Sequence, residues 1–305
     1  MKFTPARTLH DGVIEIERKT IDDLRSRLRG PLLLSGDSEY DEARKLWNGM
    51  VDRRPALIAR CKSVADVIAA VNFGVIQNLL IAVKGGGHNV TGNAMCDNGL
   101  VIDLSLMRGC DVDPDRRLVH VEGGALLGDL DAATQSRGLA TPIGINTTTG
   151  IAGLTLGGGV GHLMRLHGLT VDNLVAVEMV TATGEQVRAA EDENGDLFWA
   201  VRGGGGNFGV VTSFSFRLHP VGPVLLSGMI LYHAERAREI LRFYQDYVSN
   251  APDKLGTIVS LRKAPTASFI PAALHGEPVV GIISCYCGDS EEGEVVLRPF
   301  RDLRP

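Results

Sequence analysis

Two glycine clusters contain the side chains with the clearest capacity for chemistry in this chain. The first, Gly85–Gly87, is followed at once by His88 and Asn89, and the second runs from Asn146 to Gly161. Consecutive glycines let the backbone N–H groups of a loop converge on an anion, usually a phosphate. A neutral imidazole beside such a loop is a competent nucleophile toward the bound molecule. The clusters therefore predict a site for a phosphate-containing ligand, with His88 within its reach.

Each cluster also has a structural interpretation, which the residues alone leave open. Glycine-rich turns occur at strand ends and at bulges, and a single histidine is more often a surface or core residue than a reactive one. A third cluster, Gly203–Gly209, borders an apolar run as the other two do. This repetition favours the functional interpretation.

The third cluster does not fit the common nucleotide-binding motifs. Gly204, Gly206 and Gly209 match the spacing G-x-G-x-x-G, but a helix-like stretch (196–202) precedes them and a β-rich stretch (210–216) follows. A Rossmann loop requires the strand first, so that the pyrophosphate meets the N-terminus of a helix. The sequence contains no G-x-x-x-x-G-K-S/T motif either. Binding of NAD or ATP through these motifs is therefore not expected.

Local patterns predict the elements that position the clusters. Ser63 begins a helix whose apolar residues recur at helical spacing up to Val75, and an apolar strand over 80–83 leads into the first cluster. Further strands are predicted over 99–105, 117–122, 174–181, 186–190, 210–218, 224–233, 257–261 and 279–287, and further helices over 126–137, 196–202 and 234–249. Helices and strands are interspersed without strict βαβ alternation, which predicts an α+β fold.

Composition and charge exclude several functional classes. A net charge of −5 argues against nucleic acid or an acidic membrane as the main partner, and no stretch approaches the roughly 18 apolar residues of a membrane span. The N-terminus lacks the apolar core of a signal peptide, and five irregularly spaced cysteines suit a reduced, cytoplasmic protein. His162 and His167 miss the spacing of H-E-x-x-H, so we expect no metal site.

Taken in order along the chain, these motifs resemble the FAD-linked oxidases of the vanillyl-alcohol oxidase superfamily, and within it the berberine-bridge-enzyme-like (BBE-like) group. The resemblance covers about Arg53–Val221 and also includes Gly123–Ala125, Leu169–Leu174 and Asp196–Ala200. It implies an α+β fold made of an N-terminal helical segment (1–52), a bilobed PCMH-type FAD-binding domain (53–221) and an incomplete α+β substrate-binding domain with an antiparallel sheet (222–305).

The resemblance also implies which residues hold FAD. His88 would bond covalently to the 8α-methyl group of the isoalloxazine ring. The other implied cofactor contacts are Gly85, Gly86, Gly87, Asn89, Gly92, Asn146, Thr148, Thr149, Gly150, Gly153 and Val211. Members with two covalent bonds carry a cysteine at the position of Asn146, and an amide cannot form that thioether. A single covalent bond is therefore expected.

The implied activity is that of a flavoprotein oxidase that takes a hydride from a small organic substrate and passes the electrons to O2. Sugars, alcohols, amines and polyketides are all substrates within the family. The resemblance assigns no catalytic base, and Tyr232 and Tyr286, on predicted strands, are interpreted as structural residues.

Members of the family normally continue for well over a hundred further residues. The 305-residue chain is therefore expected to be C-terminally truncated, with Pro305 inside a helix. Two alternatives remain open: a flavin-binding protein with little or no turnover because the C-terminal substrate region is missing, and a non-flavin module that binds a carbohydrate or a nucleotide.

Overall fold

The computed structural model describes residues 3–304, and this part of the chain divides into two compact units. The first unit extends to Val160 and includes Leu169–His219, and the second consists of Gly161–Gly168 and the chain from Pro220 onward.

The strands are β1 (Phe3–Arg7), β2 (Val13–Glu17), β3 (Leu32–Leu33), β4 (Leu57–Arg60), β5 (Ile81–Lys84), β6 (Leu100–Asp103), β7 (Cys110–Asp113), β8 (Leu118–Glu122), β9 (Leu139–Ala140), β10 (Leu174–Val180), β11 (Gln186–Ala190), β12 (Val210–Arg217), β13 (His219–Pro220), β14 (Leu226–His233), β15 (Leu255–Lys263) and β16 (Pro278–Tyr286). The helices are α1 (Arg18–Arg27), α2 (Tyr40–Ala43), α3 (Val64–Ile76), α4 (Leu127–Gln135), α5 (Ile151–Leu156), α6 (Met164–His167), α7 (Gly195–Val201), α8 (Ala237–Val248) and α9 (Ser290–Asp302). Short 3-10 helices span Thr170–Asn173, Ala234–Arg236 and Ala272–Leu274.

The first glycine cluster follows a buried sheet of the first unit, with the strand order β3-β4-β6-β5. β4 and β5 both run parallel to β6, and β3 is antiparallel to β4. Apart from Arg60, Lys84 and Asp103 at their ends, these short strands are apolar, as is usual when parallel strands are covered on their faces. Leu57 and Ile102 are fully buried, and α3 packs in the same core through Val67 and Val71. Since β5 ends at Lys84, the sheet delivers the chain directly into the cluster.

Helix α3 begins where the capping pattern predicts. The hydroxyl of Ser63 accepts the backbone N–H of Asp66, whose carboxylate accepts N–H groups from Arg29, Gly30 and Lys62 at 2.9, 3.1 and 2.8 Å. Asp66 is fully buried. Burial would raise the pKa of this carboxyl, but the hydrogen bonds together hold it below its ordinary value. Asp66 therefore ties the chain before β3 to the start of α3.

The second glycine cluster belongs to the layer built around a five-stranded antiparallel sheet, with the order β11-β10-β12-β8-β7. Alternate residues of the central strands, such as Phe214 and Val121, form a core with α4, α5 and α7. Helix α4 ends at Gln135, two residues before the predicted end at Arg137, and Gly138 follows with φ +66° in the left-handed region. The loop before α5 contains the first part of this cluster, Asn146–Gly150.

The second unit is a three-stranded antiparallel sheet, β14-β16-β15, with α8 and α9 contributing to its core. Tyr232 from β14, Ile240 from α8, Ile282 from β16 and Phe300 from α9 are its buried centre. The predicted hinge at 219–223 agrees with the point where the first unit ends, at His219.

The mixed α+β architecture is as predicted, but several local elements differ from expectation. The segment over 1–52, expected to be helical, contains the antiparallel hairpin of β1 and β2, in which Phe3 pairs with Glu17. The polar strand β7 was not expected, and neither was α5, inside the glycine-rich stretch. The last helix ends at Asp302, and Pro305, predicted to lie inside it, is outside the described residues.

The two units also divide the chain differently from the predicted domains. Residues before 53 belong to the first unit, together with the predicted FAD-binding domain. Gly161–Gly168, predicted to belong to that domain, groups instead with the chain from Pro220 onward. Short-range sequence patterns do not indicate that Gly161–Gly168 belongs to the second unit. This grouping depends on contacts between residues far apart in sequence, such as the hydrogen bond from Arg165 to the carbonyl of Ala251 (2.9 Å).

Candidate functional site

The first glycine loop, Gly85–Asn89, forms a turn with unpaired backbone donors. Gly87 has φ +68°, in the left-handed region, and a Cβ there would lie 3.2 Å from Leu46. Within residues 3–304, the backbone N–H groups of Gly86, Gly87, His88 and Asn89 have no hydrogen-bond acceptor. Consecutive unpaired N–H groups form an anion-binding concavity, so this loop fits a cofactor diphosphate.

The second loop, Ile145–Gly150, lies against the first through a glycine–glycine contact. A Cβ on Gly86 would lie 2.3 Å from the nitrogen of Gly150, and a Cβ on Gly150 would lie 2.4 Å from the nitrogen of Gly86. The second loop is anchored beyond this contact, where Ile151 donates to the carbonyl of Ala125 at 3.0 Å. Asn146, Thr147 and Thr148 are exposed. The contact brings the predicted residues of both loops into one site.

His88 lies at the centre of this site. Its Nε2 is 3.0 Å from the hydroxyl of Thr148, and its Nδ1 is 3.4 Å from the hydroxyl of Thr149. Trp47 stacks on the imidazole, with the ring centroids 5.2 Å apart and the planes at 22°. The loop that carries Trp47 is fixed to the histidine loop, since the N–H of Trp47 donates to the carbonyl of Gly87 at 3.1 Å. The imidazole is therefore held on one face and at both nitrogens.

The electrostatic surroundings keep this imidazole neutral near pH 7. Partial burial lowers the pKa of His88, and a hydrogen bond to the backbone of Thr148 offsets part of that effect. No carboxylate forms an ion pair with His88 among the residues from 3 to 304. A neutral ring keeps one nitrogen with a free lone pair, which is the form that a nucleophile requires.

The hydrogen bonds around Asn146 determine which nitrogen of His88 is unprotonated. The side-chain oxygen of Asn146 accepts both the N–H of Thr148 (3.0 Å) and its hydroxyl (2.8 Å). A backbone N–H can only donate, so the amide oxygen must point toward it. The single hydroxyl proton of Thr148 is thereby used, and its oxygen accepts from Nε2 of His88. The proton of the neutral ring is on Nε2, and Nδ1 is unprotonated, with its lone pair facing the hydroxyl of Thr149.

The other residues implied to contact the cofactor are spread around the two loops. Gly85 packs on the carbonyl of Gly123, and Gly123 packs on the carbonyl of Val211, whose side chain is buried in the core of the five-stranded sheet. Gly92 has φ +77° and contacts Val51. Within the first loop, the side chain of Asn89 accepts from Thr91 and from the N–H of Asn93. Gly153 lies on α5, exposed and with nothing within 4 Å of an added Cβ.

Trp47 is the site residue that motif reasoning did not find. Its indole is exposed, which is unusual for such a large apolar ring, and it reaches His88 from a segment forty-one positions earlier in the chain. The neighbouring Asn48 is also part of this contact between segments, since its amide donates to the carbonyl of Val90 at 2.8 Å. The only signal in the sequence was a tryptophan in a polar segment.

The third glycine cluster has a structural explanation. Helix α7 precedes it and β12 follows it, so the order is opposite to that of a Rossmann loop, as predicted. Gly209 has φ +145°, and a Cβ there would lie 2.5 Å from the carbonyl of Val180. Its glycines allow the chain to enter β12 closely beside β10.

Two tyrosines of the second unit are hydrogen-bonded within that unit. The hydroxyl of Tyr232 donates to the carbonyl of Phe300, and that of Tyr286 donates to Glu292 at 3.0 Å, in agreement with their structural interpretation. Over residues 3–304 the structure contains no group of three or more histidine, cysteine or acidic side chains arranged to hold a metal. In the same range, no helix is long and apolar enough to cross a membrane.

Comparison with known proteins agrees with this geometry. A family model described as an FAD binding domain matches residues 55–190. The chain is 39% identical over 259 residues to an FAD-linked oxidoreductase of Dictyostelium discoideum, a match that covers 84% of this chain and 56% of that protein.

Solved structures show the same similarity. The crystal structure of 6-hydroxy-D-nicotine oxidase from Arthrobacter nicotinovorans has a TM-score of 0.81 and 33% identity, covering 89% of this chain and 58% of that one. The BBE-like 1 protein of Physcomitrella patens has a TM-score of 0.82 and 26% identity, covering 92% of this chain and 59% of that one. The chain thus spans a little over half the length of each relative.

Proposed function

We propose that this chain, as a member of the FAD-linked oxidoreductases with an FAD binding domain, holds FAD covalently and acts as an oxidase of a small organic substrate. FAD is the cofactor of this family, and the two glycine loops suit it. The observation that supports covalent attachment is His88, held between the loops with Nδ1 unprotonated.

The chemistry that FAD supplies when bound is removal of a hydride from a substrate C–H bond at N5 and transfer of the electrons to O2, which gives hydrogen peroxide. The chain contributes binding and orientation. The unpaired N–H groups of Gly86–Asn89 offer donors to the diphosphate. Bonding of His88 to the 8α carbon would fix the position of the ring and prevent loss of the cofactor.

The substrate class is a proposal that rests on relatives. One structural relative is a 6-hydroxy-D-nicotine oxidase, which suggests an amine as the first class to test, and sugars and alcohols follow. A net charge of −5 disfavours nucleic acid as a partner. The five cysteines are free thiols, which suits a reducing compartment such as the cytoplasm.

The experiment that tests the oxidase proposal combines flavin reduction with peroxide release. The purified yellow protein is mixed anaerobically with amines, alcohols and sugars, and the flavin absorbance is followed. Oxygen is then admitted and peroxide is measured. The proposal predicts bleaching by at least one substrate and one peroxide for each flavin reoxidised. Bound FAD that no substrate bleaches would contradict it and would favour a flavin-binding protein without turnover.

A further inference from the structure

Asn146 has no thiol with which to bond a flavin, but its side chain makes two hydrogen bonds within the second loop. Its amide oxygen accepts two hydrogen bonds from Thr148, from the backbone N–H at 3.0 Å and from the hydroxyl at 2.8 Å. The first of these bonds fixes which end of the amide faces Thr148. The second determines the direction in which the hydroxyl proton points.

The orientation of the Thr148 hydroxyl determines its hydrogen bond with His88. Because the hydroxyl of Thr148 donates to Asn146, its lone pairs are what remain for Nε2 of His88, 3.0 Å away. Two further groups restrict the ring: the indole of Trp47 stacks on one face, and the hydroxyl of Thr149 lies 3.4 Å from Nδ1 and can donate to it. The imidazole therefore cannot exchange its two nitrogens by a ring flip without losing these contacts.

We propose that Asn146 is a positioning residue for cofactor attachment: through the hydroxyl of Thr148 it holds His88 in the Nε2–H tautomer, with Nδ1 ready to bond. This inference rests on the proposed covalent function. Asn146 touches neither the reacting nitrogen nor the 8α carbon, and it acts through Thr148.

Covalent attachment would join His88 to FAD and remove two hydrogens, one from the imidazole and one from the methyl group. A bond would form between Nδ1 of His88 and the 8α carbon of FAD, and one C–H bond of that methyl group would break, its proton leaving to water. The proton on Nε2 leaves past the exposed hydroxyl of Thr148 to water. The two electrons left on the flavin pass to O2, which takes up two protons and becomes hydrogen peroxide. The overall change is imidazole N–H plus methyl C–H plus O2 giving the N–C bond and H2O2.

The test uses the full chain in its apo form, produced under riboflavin starvation and labelled with 15N-histidine. The first readout is the 15N spectrum of His88, assigned by its loss in His88→Ala. In the wild type, Nε2 is expected to be protonated and Nδ1 unprotonated. Asn146→Ala frees the Thr148 hydroxyl to donate to Nε2, so a mixture of tautomers or the opposite one is expected. Asn146→Asp keeps the acceptor oxygen and is expected to restore the wild-type pattern.

The second readout is the rate at which added FAD becomes acid-stable. We expect Asn146→Ala and Thr148→Val to slow attachment about tenfold, the effect of one lost hydrogen bond. Asn146→Asp and Thr148→Ser are expected to stay within about twofold of the wild type. Thr147→Ala is the matched control, since it removes an exposed hydroxyl from the same loop without touching this chain of hydrogen bonds. Non-covalent FAD binding is followed by fluorescence in every variant, and attachment rates are compared at saturating FAD so that a change in affinity is not counted as a change in the attachment step.

Two failures can be told apart. If the wild type binds FAD but never forms acid-stable flavin, the covalent function is wrong and the role of Asn146 falls with it. If the wild type forms the bond and Asn146→Ala forms it equally fast with the same tautomer, only the positioning role is overturned.

Discussion

Gly86 and Gly150 approach each other so closely that neither could carry a side chain: a Cβ on either would lie within 2.4 Å of the other's backbone nitrogen. This contact joins two loops that are sixty-four positions apart in sequence. It also brings Asn146 and Thr148 to His88, since the histidine follows Gly86 by two residues and Thr148 precedes Gly150 by two. Glycine is therefore required at positions 86 and 150 by the close approach of the two loops, as well as by the expected cofactor.

Gly86→Ala is expected to destabilise the apoprotein by about 1–3 kcal/mol, because the new methyl group meets backbone that cannot rotate away. Urea denaturation measures this cost. Gly153→Ala is the control, since an added Cβ meets nothing within 4 Å and alanine favours helix α5. Equal stability of the two variants would show that the contact between the loops is looser than described.

The attachment of FAD to His88 is expected to depend on pH in one direction. Burial lowers the pKa of His88, so the neutral, nucleophilic ring persists below the ordinary value of 6.5. The rate should be flat near neutral pH and should fall on acidification, with its midpoint below 6.5. Stopped samples at each pH, assayed for acid-stable flavin, give the profile. A rate that falls when the pH rises through neutrality would contradict a neutral histidine nucleophile.

A single covalent bond is predicted because Asn146 has no thiol and the five cysteines do not replace it. Burial raises the pKa of Cys96 and of Cys110 to about 11, so few of these thiols are ionised near pH 7. Peptide mapping by mass spectrometry should find flavin only on the peptide that contains His88. Flavin on any cysteine peptide would show a second bond.

Asp66→Asn is expected to lower the free energy of unfolding by about 2–3 kcal/mol at pH 7, because an amide N–H would face backbone donors in a buried site. The pKa of Asp66 is lower in the folded protein than its ordinary value of 3.8, so its contribution is present above that pH. The contribution is lost as the pH falls through the folded value. Denaturation curves at several pH values should show the difference between wild type and variant shrinking on acidification. A constant difference would mean that the carboxylate charge has no part in this stability.

Local patterns were sufficient for the elements that deliver the first loop. Ser63 and the helical spacing up to Val75 predicted α3, and the apolar run before Lys84 predicted β5, because these signals lie within a few residues of the element they define. The hairpin of β1 and β2 was missed because its neighbours are distant: Arg7 bonds to the carbonyl of Asn98, and Leu80 bonds to that of Arg7. No pattern within the segment contains that information.

The sequence predicted the residues of the site that lie in its motifs, but not the contacts between distant segments. Motifs and resemblance named His88 and both loops, but no motif indicated the stacking of Trp47 or the hydrogen bonds from Asn146 through Thr148 to Nε2. These relationships are set by the distance between two loops, and they depend on Gly86 meeting Gly150. From the sequence, Asn146 was interpreted only as a residue that cannot form a second flavin bond. In the structure its amide oxygen accepts two hydrogen bonds from Thr148.

The measurement that tests the central claim most directly is acid precipitation of the purified holoprotein, with flavin absorbance read in pellet and supernatant. Covalent attachment through His88 predicts that the wild-type flavin stays with the pellet and that His88→Ala releases its flavin to the supernatant. Thr147→Ala, altered in the second loop away from the imidazole, should behave as the wild type. Wild-type flavin found entirely in the supernatant, or flavin retained in the pellet of His88→Ala, would contradict the account.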